Sequence, residues 1–143
     1  MQLTKDEWWG NYRCTILCQY HSDNFDEWWD PDKYEWSQSS WALAQFCPKH
    51  FDKWWNPDKF DWGASSYLAM YCPEYFSEWW DINKFDWELG SDNLSIYCAT
   101  KFSNACLKQL LLHQDISARQ FASEEIKRRE DDKAREAMGE QGL

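Results

Sequence analysis

Three stretches of this chain are near copies of one another: residues 25–36 (FDEWWDPDKYEW), 51–62 (FDKWWNPDKFDW) and 76–87 (FSEWWDINKFDW). Their starts lie 26 and 25 residues apart. Between them recurs Leu-x-x-Phe/Tyr-Cys, at Leu43/Phe46/Cys47, Leu68/Tyr71/Cys72 and Leu94/Tyr97/Cys98. A unit this short cannot bury its own apolar face. Self-similarity at such a period predicts units that hide their aromatics against one another. The edges read as worn copies: Asp6-Glu7-Trp8-Trp9 resembles the Trp-Trp step, and Phe102 falls where the next Phe is due.

Each unit reads as helical. Phe51, Trp54 and Trp55 stand at i, i+3 and i+4, on one face of a helix. Pro48 and Pro73 suit a first helical position, where a missing N–H costs nothing. Asp30-Pro31 and Asn56-Pro57 read as a cap followed by another short turn carrying Tyr34/Trp36 and Phe60/Trp62. Ser39-Ser40 and Ser65-Ser66 read as capped starts of the helices that end at Cys47 and Cys72. Strands are disfavoured, because period-2 alternation is absent and Pro recurs. The expected fold is all-α: a short-helix tandem-repeat solenoid of about 25–26 residues per repeat, with room for 3-10 turns and a C-terminal helix. Residues 1–106 form the array, with degenerate terminal units, and 107–143 the C-terminal helical segment. In the latter, Ala105–Leu112 closes the array. Ser117–Met138 follows as a solvated helix with i, i+4 pairs Glu124/Arg128, Glu125/Arg129 and Asp131/Arg135. Gly139–Leu143 is expected to fray.

The aromatic share, 19% of residues, explains how so hydrophilic a chain holds a core. A buried aromatic removes roughly 150–250 Å² from water, and disordered chains are poor in such residues. The formal charge of −10 is uneven: residues 1–106 hold 8 Lys/Arg against 17 Asp/Glu, and 107–143 hold 7 against 8. A net of −9 on the array repels nucleic acid and anionic lipid and attracts basic protein surfaces. The opening residues carry no apolar targeting stretch, and no run approaches the roughly 20 apolar residues of a membrane span. The expected site of action is the cytoplasm, where the six Cys stay reduced and pack as small apolar side chains.

The residues expected to meet a partner are the recurrent carboxylates Asp26, Glu27, Asp30, Asp32, Asp58, Asp61, Asp81 and Asp86. Repetition sets them in rows that can imitate a phosphate backbone; capping accounts for Asp30 and Asp81. Lys33, Lys59 and Lys84 are expected to pair with neighbouring carboxylates. The alternative is a small-ligand site, for a nucleotide or cation, in an aromatic pocket at Trp41 and Tyr67. Zinc has one candidate set, Cys14, Cys18 and His21 with Cys47 or His50, but paired Cys-x-x-Cys spacing is missing and no metal or cofactor is expected. Three scattered His and the lack of phosphate-loop, nucleophile-elbow or zinc-protease motifs argue against an enzyme.

The string Cys-Pro-x-x-Phe-x-x-Trp-Trp-x-Pro-x-Lys-Phe-x-Trp resembles Trp-rich tandem repeats of uncharacterised bacteriophage and bacterial proteins, over about residues 24–102. The third unit departs from it at Ile82 and Asn83, and the fourth lacks the Trp residues. The resemblance transfers no functional residues. With size and charge, it implies similarity to phage inhibitors of host defence, including anti-CRISPR proteins and DNA mimics, acting in the host cytoplasm. The partner would be a basic, nucleic-acid-binding protein surface, with no direct nucleic-acid or membrane contact. A third reading, from another class, is an assembly component whose C-terminal helix mediates oligomers.

Overall fold

The computed structural model describes residues 2–141, and among these every regular element is helical. The elements are α1 (Lys5–Asn11), α2 (Cys14–Tyr20), α3 (Phe25–Trp28), α4 (Trp36–Phe46), α5 (Phe51–Trp54), α6 (Ser65–Tyr71), α7 (Phe76–Trp79), α8 (Trp87–Asn93), α9 (Asn104–Leu110) and α10 (Ile116–Gln141). Single 3-10 turns precede α3, α5, α6 and α7. A π-helical turn, Leu94–Cys98, extends α8 and runs into a 3-10 turn. The longer helices lie side by side: α2 against α4, α4 against α6, α6 against α8, and α10 across α8 and α9.

The local chemistry sets these boundaries. Thr4 opens α1 with a capping box, its hydroxyl accepting from Glu7 N while Glu7 reaches back to Thr4 N. Pro48 and Pro73 begin the 3-10 turns Pro48–His50 and Pro73–Tyr75, as their missing N–H favours. The Asp30-Pro31 and Asn56-Pro57 steps make one closed turn each and no helix. Their side-chain oxygens accept from the backbone two residues on, at Asp32 and Asp58.

Three expectations change. Neither serine pair caps a helix: α4 begins at Trp36, so Ser39 and Ser40 lie buried within it, and α6 begins at Ser65 itself, behind Ala64 and with no side-chain cap. Ser40 donates to Trp36 O and accepts from Asp61 N at 3.0 Å, and Ser65 accepts from Asp86 N at 2.9 Å. In α10, Glu124/Arg128 and Asp131/Arg135 do not form. Arg128 and Arg129 instead converge on the buried Glu125, and Asp132 takes Arg128 and Arg135. Gly139–Gln141, expected to fray, continue α10, while Gly142 and Leu143 fall outside the described residues.

The core is one aromatic and aliphatic cluster running from Trp8 to Ala122. The same contacts recur at each segment. Trp28, Trp54 and Trp79 are fully buried, and each indole N–H donates to a carbonyl seven residues back, at His21, Cys47 and Cys72 (2.7–2.8 Å). Trp29, Trp55 and Trp80 lie half-buried, stacked on Phe25, Phe51 and Phe76 with ring centroids 5.1–5.3 Å apart. Trp36, Trp62 and Trp87 donate to the carbonyls of Pro31, Pro57 and Ile82. Each segment also reaches back to the one before. The thiols of Cys47, Cys72 and Cys98 point at the carbonyls of Cys18, Ala44 and Ala69. Burial pushes the thiols of Cys72 and Cys98 up to about 12, so both stay protonated and apolar.

The C-terminal end is closed by α10. Phe121 packs on Phe102 and Trp87, and Arg129 donates to Ala99 O, Phe102 O, Asn104 Oδ1 and Glu125. Burial works against the Glu125 carboxylate, but its bonds from Arg128 and Arg129 outweigh that and hold its pKa below the ordinary value.

Candidate functional site

All eight expected carboxylates lie in the Trp-Trp segments and the turns that follow them, at or near the surface, and most have internal work. Asp30 and Asp81 hold their turns, Asp61 accepts from Gly63 N, and Asp86 caps α8 through Leu89 N. Asp26 pairs with Lys53 at 2.7 Å and Asp32 with Lys59 at 3.5 Å, each Lys coming from the next segment. The Lys53 hydrogen bond holds Asp26 below the usual carboxylate range. Lys33 reaches back the same way to Asp6, whereas Lys84 lies 5.8 Å over the Trp62 ring. Glu27 and Asp58 accept no side-chain or backbone hydrogen bond among the described residues. The paired carboxylates stay open to water, with side-chain exposures of 72% for Asp26 and 89% for Asp32. Such pairs are worth about 0–1 kcal/mol, so a partner's cation can displace the lysine at little cost.

Trp41 and Tyr67 do come together, with ring centroids 5.7 Å apart, flanked by Phe46 and Tyr71. Rings that close touch each other, and a base or cation would lie on them, not between them. They are not strict equivalents: Trp41 follows Ser40 by one residue, and Tyr67 follows Ser65 by two.

The zinc candidates do not converge, and no group of three potential ligands comes together among the described residues. Cys14 accepts from Glu35 N, Cys18 meets the Tyr34 hydroxyl at 3.3 Å, and His21 packs on Trp8 and Tyr12. The remaining histidines are equally occupied. His50 stacks on Phe25 and donates to Ser22 O, and His113 accepts from Asp115 N beside Trp87.

Sequence reasoning missed a distribution that spacing alone could have shown. Helices α2, α4 and α6 contain no charged residue, and α8 contains only Glu88 and Asp92. Apart from those two, acid and base lie in the Trp-Trp segments, the turns and the terminal helices. A second missed feature is a groove of about 410 Å³ between α9 and α10, lined by Asn104, Lys108, Ile126, Arg129, Glu130 and Lys133. Among the described residues no helix is long and apolar enough to cross a membrane. No family model, no curated protein and no solved structure matches the chain.

Proposed function

We propose that the chain is a short-helix tandem-repeat solenoid that works without catalysis, as a scaffold binding the basic surface of another protein. In its narrower form the proposal is inhibition: the acidic rows occupy the groove through which a nucleic-acid-binding protein, such as a host-defence nuclease, holds its phosphates. What carries the reading is the split within each Trp-Trp segment. Phe and the first Trp are buried and hydrogen-bonded inward, while the carboxylates beside them face water. The repeated reach-back contacts support the solenoid, since each segment meets its predecessor through the same side chains.

Charge of one sign on a rigid frame favours encounter with the opposite sign and falls away with salt. Arginine on a partner would gain most, because its planar fork grips a carboxylate bidentately where Lys53 and Lys59 offer single points of charge. The test is capture of binding proteins on the immobilised chain, followed by a salt titration of a purified captured protein. Binding to a nucleic-acid-binding protein that weakens steeply between 50 and 500 mM salt is the expected outcome. Salt-insensitive binding would remove the carboxylates from the interface.

A further inference from the structure

Acid outnumbers base on this chain, 25 residues to 15, and the groove between α9 and α10 reverses that balance. Lys108, Arg129 and Lys133 line it against a single acid, Glu130. Its donors are in part held ready. Arg129 spends four of its five N–H groups inside the chain: Nε on Glu125, one N–H of Nη1 on Asn104 Oδ1, and Nη2 on the carbonyls of Ala99 and Phe102. These bonds fix the guanidinium plane, and the second N–H of Nη1 meets no acceptor among the described residues. Because Arg129 takes the Asn104 oxygen, the amide orientation is set, and its NH2 end is likewise without an acceptor among them. Lys108 and Lys133 are exposed and form no ion pair there. The lining thus presents donors from both helices and one free acceptor, the Glu130 carboxylate.

A concavity of this kind suits an anion, and its size and setting narrow the class. About 410 Å³ falls in the range of small-molecule pockets, roughly 300–1,000 Å³. The net charge of −10 keeps polyanions at a distance, so a nucleic acid is disfavoured where a small anion is not. Ile126, half-buried against the core, gives the groove an apolar wall, and the methylene stems of the two lysines can extend it. A phosphate group brings three acceptor oxygens and up to two charges to these donors, where a carboxylate brings two oxygens and one charge. We infer that this groove binds a small phosphate monoester. Lys108, Lys133, the Asn104 amide and the spare N–H of Arg129 take its oxygens, and its apolar part lies on Ile126. The guanidinium and the amide are already locked in the empty protein, so ordering them costs the ligand little. This binding is independent of the acidic rows, which lie in the Trp-Trp segments and their turns.

Calorimetric titration of the full chain with phenyl phosphate tests this. The expected result is saturable binding at one site, with a dissociation constant below about 1 mM. Inorganic phosphate, which lacks the ring, and benzoate, which carries one charge, should each bind at least threefold more weakly. Asn104→Asp is the sharpest variant. It keeps an oxygen for Arg129 and turns the amide donor into a second acceptor, so the melting temperature should hold while binding falls at least tenfold. Lys133→Gln should weaken binding at least threefold, and Glu130→Gln, which removes the one repelling group, should tighten it at least twofold. Both are exposed side chains, so these two variants read the groove whatever Asn104→Asp does to folding. Lys127→Gln, exposed and outside the lining, should change nothing. No saturation up to about 10 mM phenyl phosphate overturns the inference. So does equal weakening by Lys127→Gln and Lys133→Gln, which would mean diffuse attraction and no site. Benzoate binding as tightly as phenyl phosphate, or short duplex DNA displacing the phosphate from the groove, overturns it equally.

Discussion

Trp54 does two jobs that a smaller aromatic could not. Its buried indole packs against Phe51 and Phe60, and its N–H donates to Cys47 O at 2.7 Å. Trp54→Phe keeps most of the packing but removes one of the two hydrogen bonds to Cys47 O, which still accepts from His50 N at 3.1 Å; the loss of about 0.5–1.5 kcal/mol should lower the midpoint of urea unfolding accordingly. The glycines give a sharper contrast. A Cβ on Gly90 would come within 2.5 Å of the buried Phe85 ring, so Gly90→Ala should destabilise by about 1–3 kcal/mol through overpacking. Gly10 lies inside α1, where an added methyl would meet nothing within 4 Å, and should gain up to about 1 kcal/mol as Ala from helix propensity alone. Thermal melts of the two variants should move in opposite directions. The aromatic roles were legible in the sequence because they recur, whereas those of Ser40 and Ser65 were not. Each accepts from a backbone N–H 21 residues later, a distance at which local capping rules are silent.

At the scale of elements, a charge cluster attaches α10 to the turn before α9. Glu125 is 6% exposed and takes both Arg128 and Arg129, and Arg129 in turn ties α10 to the carbonyls of Ala99 and Phe102. Because the folded-state pKa of Glu125 is lowered, its contribution is present above its unfolded value of about 4.3 and is lost as pH falls through the folded value. Glu125→Gln should cost about 1–3 kcal/mol at pH 7 and flatten the loss of stability below pH 4, both readable from melts across the pH range. The sequence placed α10 and its Glu125/Arg129 pair correctly. It could not show that Arg128 turns to Glu125 instead of Glu124, since both spacings suit a helix and only burial against α8 and α9 selects one. The turn at Asp30-Pro31 shows the converse. A cap-and-Pro signal was present, but the chain leaves helical geometry after one turn because Tyr34 is drawn into the core beside Trp29.

Over the whole molecule, the buried thiols make stability sensitive to alkali. Cys72 and Cys98 have folded-state values raised to about 12 and Cys14 to about 11, against about 8.5 unfolded. A raised value means the contribution is complete below the unfolded pKa and declines above it, at up to about 1.4 kcal/mol per pH unit for each thiol. The melting temperature should fall steeply above pH 9, and Cys72→Ala should make that fall shallower. The all-helical class was legible in the whole-chain pattern, and so was the burial of the repeated Phe and first Trp. The reach-back ion pairs Lys33–Asp6, Lys53–Asp26 and Lys59–Asp32 were not. They link residues 27 apart and appear only when segments lie side by side. With the turn and cap bonds of Asp30, Asp61, Asp81 and Asp86, they leave Glu27 and Asp58 as the two of the eight expected carboxylates with no internal partner among the described residues.

Those two residues permit the most direct measurement. Glu27→Gln with Asp58→Asn changes two charges and no described hydrogen bond, so the melting temperature should stay within about a degree of wild type. If the carboxylates are the contact surface, a protein retained by the wild-type chain should bind this variant at least tenfold more weakly. Short duplex DNA should displace it from the wild type. Equal binding by variant and wild type, undisturbed by duplex DNA, would contradict the proposed role of the acidic rows.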